Sequence, residues 1–148
     1  MQIVYNGRYN VNVEVWASVS HDCKLDLVTV QVNLNALRYQ REILQASVVP
    51  HFDNHVLTDR PSFMEVNARP HRAHAVLQCL RRYAVETIPW LAKSPDLYLI
   101  EHIWDMFGRR VRQRDAPVQT LRDLEAALHQ EWARLPQRQI QGMSYAKY

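Results

Sequence analysis

The sequence predicts one layered α/β domain over residues 1–148, on three observations. One stretch alternates apolar and polar residues, several others repeat apolar residues at helical spacing, and the two kinds succeed one another without an internal repeat or low-complexity tract. Hydrophobic residues at 47% and charged residues at 22% are those of a globular chain long enough to bury a core, which excludes disordered and fibrous classes.

Val11, Val13, Val15, Ala17 and Val19 alternate with Asn12, Glu14, Trp16 and Ser18, the period of a half-buried strand. His21 to Lys24 reads as a polar turn into a second β-branched run, Leu25 to Val32, so the two form a hairpin. Asn35 caps a helix with Ala36, Tyr39 and Ile43 on one stripe and Leu37, Leu44 and Val48 on a neighbouring one, and this helix is expected to end before Pro50. The polar, proline-bounded stretch from His51 to Ser62 reads as a surface loop, and Phe63-Met64-Glu65-Val66 as a short buried strand. A helix starting at Pro70 places Ala73, Val76, Leu77, Leu80 and Ala84 on one face, with Arg81 and Arg82 near its C-terminal end. A short strand near Glu86 to Ile88 follows. Ser94-Pro95 then opens an amphipathic helix striped by Ile100, Ile103, Trp104, Phe107 and Val111. The last helix starts on a capping-box-like Thr120 and Asp123, buries Leu121, Leu124, Leu128 and Trp132, and stops at Pro136.

Charge narrows the function classes only mildly. Lys and Arg number 18 against 15 Asp and Glu, a net charge of +3 that favours an anionic partner. Cys23 and Cys79 lack the paired spacing of a zinc site or a disulfide framework and read as reduced packing residues. No apolar run is long enough for a membrane helix, and the first twenty residues do not have the layout of a secretory leader, so an intracellular protein is expected.

Two segments carry a family resemblance: EVNARPHRAH at 65–74 and WLAKSPDLYLIEHIWDMFGRRVRQR at 90–114. They are similar to the Tc/mariner superfamily of transposases, a branch of the DDE endonucleases, with support from 13–20, 33–39 and 121–140. The resemblance implies a ribonuclease-H-like mixed sheet flanked by helices, and a nuclear or otherwise intracellular protein that cuts and joins DNA. It further implies three carboxylates holding two Mg2+ or Mn2+ ions, because hard cations in phosphoryl transfer take oxygen ligands.

Glu101, ahead of His102 and Trp104, matches the third carboxylate of that family. Between it and Val66 lie 34 residues, the family's spacing from second to third ligand, so Val66 occupies the second-Asp position. The strand carrying the first Asp is expected to fall upstream of this chain, leaving the sheet without its first central strand. Family glycines are replaced by Ala17 and Val32, and an Asn-Pro pair before the third acid by Tyr98-Leu99. The expected function is therefore a transposase-derived domain, catalytically degenerate, with Glu101 the one recognisable metal ligand and productive ion binding lost. The alternative is a non-catalytic DNA-binding or protein-interaction module that reuses the fold.

Each candidate has a plainer reading. Asp105, one turn past Glu101, reads as solvent-facing charge, and His71 and His74 read as solvated surface more readily than as ligands. The cluster of His51, Asp53 and His55 reads as a loop. Arg109, Arg110, Arg112 and Arg114, with Arg69, His71 and Arg72, are candidates for DNA phosphate contacts, against a solvated helix face balanced by Asp105 and Asp115. Trp90, Trp104 and Trp132 read as core. The partners expected are DNA, bound weakly or without sequence preference, and a second copy of the chain, with no membrane and no small-molecule substrate.

Overall fold

The computed structural model describes residues 2–5, 11–30, 33–54, 62–65, 68–88, 99–115 and 118–145. The chain divides into two compact units, one formed by Met1–Gln31 with Lys93–Tyr148 and the other by Val32–Ala92.

The first unit sets three helices against an antiparallel sheet. Its strands are β1 (Gln2–Tyr5), β2 (Val11–Trp16) and β3 (Val28–Val30), in the order β1-β2-β3. Register runs Gln2 opposite Glu14 through Tyr5 opposite Val11, and Glu14 opposite Val30 through Trp16 opposite Val28. The expected hairpin is present but its strands are shorter than the apolar runs. Beyond Trp16 only Val19 and Lys24 bridge, and Ser20 closes the turn by accepting the Cys23 amide on Oγ at 3.1 Å. β1 was not anticipated in the sequence reading: a strand pairs with one edge of β2. It consists of Gln2, Ile3, Val4 and Tyr5 and contributes no carboxylate.

Val13, Val15 and Ala17 are buried as the alternation requires, and they pack with Leu27 against α4 (Leu99–Arg112) and α5 (Leu121–Arg134). The α4 stripe of Ile103, Trp104, Phe107 and Val111 meets Leu124, Leu128 and Trp132 of α5. Each such side chain taken fully out of water stabilises the fold by about 1.5–3 kcal/mol. Trp104 and Trp132 stack at 5.7 Å between centroids, with Phe107 edge-on to Trp132 at 5.5 Å, so both tryptophans serve the core. Trp90 and the expected helix start at Ser94-Pro95 lie outside the described residues.

The polar turn after β2 is tied to the far end of α5. Lys24 Nζ donates to the carbonyls of Trp132 and Leu135 at the helix end, and it sits 5.5 Å from the centre of the Trp132 ring. Burial there pulls the Lys24 ammonium below its ordinary pKa, with Asp26 opposing.

α5 opens on the predicted capping box, the Asp123 amide donating to Thr120 Oγ1 at 3.1 Å and the Thr120 amide to Asp123 Oδ2 at 2.9 Å. Leu121, expected in the core, is 42% exposed at the first position of the helix. Pro136 ends α5 as expected. It then leads directly into α6 (Gln137–Tyr145), a helix the sequence reading did not anticipate, which returns Ile140 to the core.

The second unit has one long helical run: α1 (Ala36–Arg38), a π-helical stretch (Tyr39–Val48) and α2 (Val49–Asn54). Asn35 caps it as predicted, its side chain accepting the Arg38 amide at 2.9 Å. In a π-helix residues five apart share a face. Tyr39 with Leu44, and Ile43 with Val48, therefore form a single buried face, whereas Leu37 from the predicted second stripe is 52% exposed.

The run does not end before Pro50, which instead occupies the first turn of α2, where a missing N–H costs little. His51 and Asp53 are accordingly helical rather than in a loop, while residues 55–61, His55 among them, lie outside the described residues.

β4 (Phe63–Met64) and β5 (Thr87–Ile88) pair in parallel around α3 (His74–Arg82). Two differences from expectation concern α3. Ala73 is extended at ψ 141°, so the segment from Pro70 makes turns and the helix starts only at His74. At the other end Ala84 takes the left-handed conformation, φ 52°, letting the Val85 amide reach back to the Leu80 carbonyl at 2.9 Å. Ala84 thus ends the helix and lies exposed instead of extending its stripe, and Val85 enters the core. Cys79 is buried and Cys23 half-buried, and the two form no disulfide.

Candidate functional site

α4 presents Glu101 in its first turn, half-buried, where the positive end of the helix dipole favours an anion. Asp105 is not turned toward it as a second oxygen ligand. It binds Arg109 in an i,i+4 ion pair, Nη2 to Oδ2 2.5 Å. Among the described residues no group of three His, Cys, Asp or Glu side chains could hold a metal ion. Val66 lies outside the described residues.

The arginines that follow Glu101 are largely engaged within their own unit. Besides Arg109, Arg110 donates to Gln139 Oε1 at 3.0 Å. Arg114 is mostly buried and pairs with Glu131 at 2.5 Å and with Gln130 at 2.8 Å, and Arg134 joins the same carboxylate at 3.1 Å. Arg112 is exposed and folds over Gly108, where an added Cβ would come within 3.2 Å of its Nη1.

In the second unit Arg69 and Arg72 are exposed in the turn ahead of α3, as expected of surface cations. His74 is exposed too. His71 is not: it is 7% exposed, contrary to its reading as solvated surface. Its ring stacks on the wholly buried Tyr39 at 4.1 Å between centroids. Burial keeps that imidazole from the surface on which a phosphate would lie.

Tyr39 donates from its hydroxyl to Glu65 Oε1 at 2.5 Å, making a polar cluster of Tyr39, His71 and Glu65 at the end of β4. Burial pushes the Glu65 carboxyl up to about 7, against the hydrogen bond from Tyr39, which favours the ionised form. Glu65 went unweighed in the sequence. Its signal was an acidic residue between Met64 and Val66 in an otherwise apolar strand.

Hairpin, parallel strand pair and intervening helices in this order define a ribonuclease-H-like fold. The chain superposes on the crystal structure of the catalytic domain of Mos1 mariner transposase with a TM-score of 0.74, covering 98% of this chain and 72% of that one at 20% identity. A Mos1 paired-end complex with left transposon end matches at TM-score 0.75 and 19% identity, over 95% of this chain and 42% of that chain. Mos1 catalytic-domain structures with Mn and with Mg match at 0.73.

In sequence the chain is 24% identical over 131 residues to the Tc3 transposase of Caenorhabditis elegans, which covers 88% of this chain and 39% of that relative. No protein-family model matches. The chain is thus similar in sequence to the Tc3 transposase and in fold to the Mos1 catalytic domain, and it spans well under half the length of the Tc3 protein.

Proposed function

We propose that this chain is a transposase-derived domain that resembles the DNA cutting-and-joining part of Tc/mariner transposases, keeps affinity for DNA, and has lost catalysis. One observation carries the loss: Glu101 stands in the third-ligand place while the residue in the second-ligand place, with 34 residues between the two, is the apolar Val66. Two ions about 4 Å apart need several shared oxygens, and valine supplies none. The likeness to Tc3 across most of the chain supports the DNA-handling half of the reading.

Mg2+ or Mn2+ is the metal the reading implies for the ancestor, with no productive site retained here. Only Glu101 is assigned to the old centre. It sits at a helix start and is left as a single negative charge that water can solvate. The test is a nicking assay on supercoiled plasmid with the purified chain in Mg2+ or Mn2+. No nicking above background is expected, and the Glu101→Gln variant behaves identically. Metal-dependent nicking that Glu101→Gln abolishes would overturn the loss of catalysis.

A further inference from the structure

The stretch from Val66 to Val85 contains no Asp or Glu, yet it holds Arg69, Arg72, Arg81 and Arg82. All four are exposed. Among the described residues none of them is ion-paired, whereas on α4 and just past its end Arg109 and Arg114 are held by Asp105 and Glu131. A guanidinium already neutralised by its own chain releases no counterion when a phosphate approaches. One that faces water does, and that release drives nucleic-acid binding.

From these observations we infer that the DNA contacts of this chain are made by the exposed arginines of α3 and its preceding turn, rather than by the more conspicuous arginine run of α4. The inference rests on the reading that the chain binds DNA and adds where it does so. Arg69 and Arg72 stand at the head of α3 and Arg81 and Arg82 at its foot. The nine residues of α3 extend about 14 Å, the rise of about four phosphates along one strand of B-form DNA. Gln78, exposed between the two arginine pairs, adds a hydrogen-bond donor for backbone oxygens without adding charge. The buried His71 takes no part.

The experiment measures binding of the full chain to a mixed-sequence 30-base-pair duplex by fluorescence anisotropy across a KCl series. Arg81→Gln with Arg82→Gln, and separately Arg69→Gln with Arg72→Gln, are each expected to weaken binding about tenfold and to flatten the log affinity against log salt slope by nearly 2. Arg122→Gln with Arg138→Gln removes the same net charge from α5 and α6 and is expected to leave the slope unchanged. Arg81→Lys with Arg82→Lys is expected to restore most of the salt slope, and a loss there as large as for the Gln pair would show that charge is not the cause.

Wild-type binding by both α3 pairs would overturn the inference, all the more if Arg109→Gln with Arg112→Gln carried the loss instead. In that case the proposed DNA affinity stands and only its location changes. Absence of any saturable, salt-dependent binding by the unaltered chain would sink the inference and the proposed affinity together.

Discussion

Tyr39 is wholly enclosed and still donates a hydrogen bond from its hydroxyl to Glu65, so the second unit has a polar contact in its interior. The pairing has a pH consequence. The Glu65 carboxyl is near 7 in the folded chain against an ordinary 4.5, so the folded state holds a proton that the unfolded state has released between those values. Stability contributed by the neutral carboxyl is fully present below about 4.5 and is lost as pH rises through about 7. Allowing for partial solvent access, thermal or urea unfolding should show a loss of about 1–2 kcal/mol across that window. Glu65→Gln, whose amide oxygen still accepts from Tyr39, should flatten it. Tyr39→Phe should cost about 1–2 kcal/mol, more above pH 7 than below 4.5, since it strands a half-buried acceptor whose ionised form the hydroxyl favours. An unfolding curve for wild type that is flat between pH 4.5 and 7 would contradict this account of Glu65. His71 in the stack shows how residue-scale reading went astray: a histidine in a run of arginines looks like surface, and only a tyrosine 32 positions away in sequence makes it core.

Elements were legible where local chemistry decides them. The Thr120–Asp123 box, the Asn35 cap, the alternation of Val13, Val15 and Ala17, and the α4 stripe all depend on residues within a few positions of one another, and each is present as read. Thr120→Ala should accordingly lower stability by about 1 kcal/mol, with no more than a few tenths lost on Thr120→Ser, measured by chemical unfolding. Elements governed by more distant partners were misread. Pro50 reads as a helix stop until the wider π-helical turns ahead of it place it in a new first turn. Pro136 likewise reads as an end because Ile140, which makes α6 worth forming, finds its core partners on α4 and α5. Ala84 ends α3 in a conformation that glycine usually supplies, so no sequence signal marked the stop.

At the scale of the molecule, the first unit closes only when the chain returns: Lys24 holds carbonyls of α5 that lie 108 and 111 positions away. Residues 32–92 are inserted between its two parts as the second unit. The ribonuclease-H-like architecture was legible from the resemblance of 65–74 and 90–114, whereas β1 beside β2 was not, because its four residues carry neither an alternating pattern long enough to read nor an acidic residue. The candidate site was legible as an identity and a spacing, Glu101 and Val66, and the pairing of Asp105 with Arg109 one turn on was not. Loss of catalysis follows from how few oxygens this chain offers a divalent ion, and calorimetric titration of Mn2+ into the purified protein tests that most directly. The expected result is no saturable uptake at up to millimolar Mn2+ and an unfolding midpoint that the metal leaves unchanged. Stoichiometric, tight uptake that disappears in Glu101→Gln would contradict that loss.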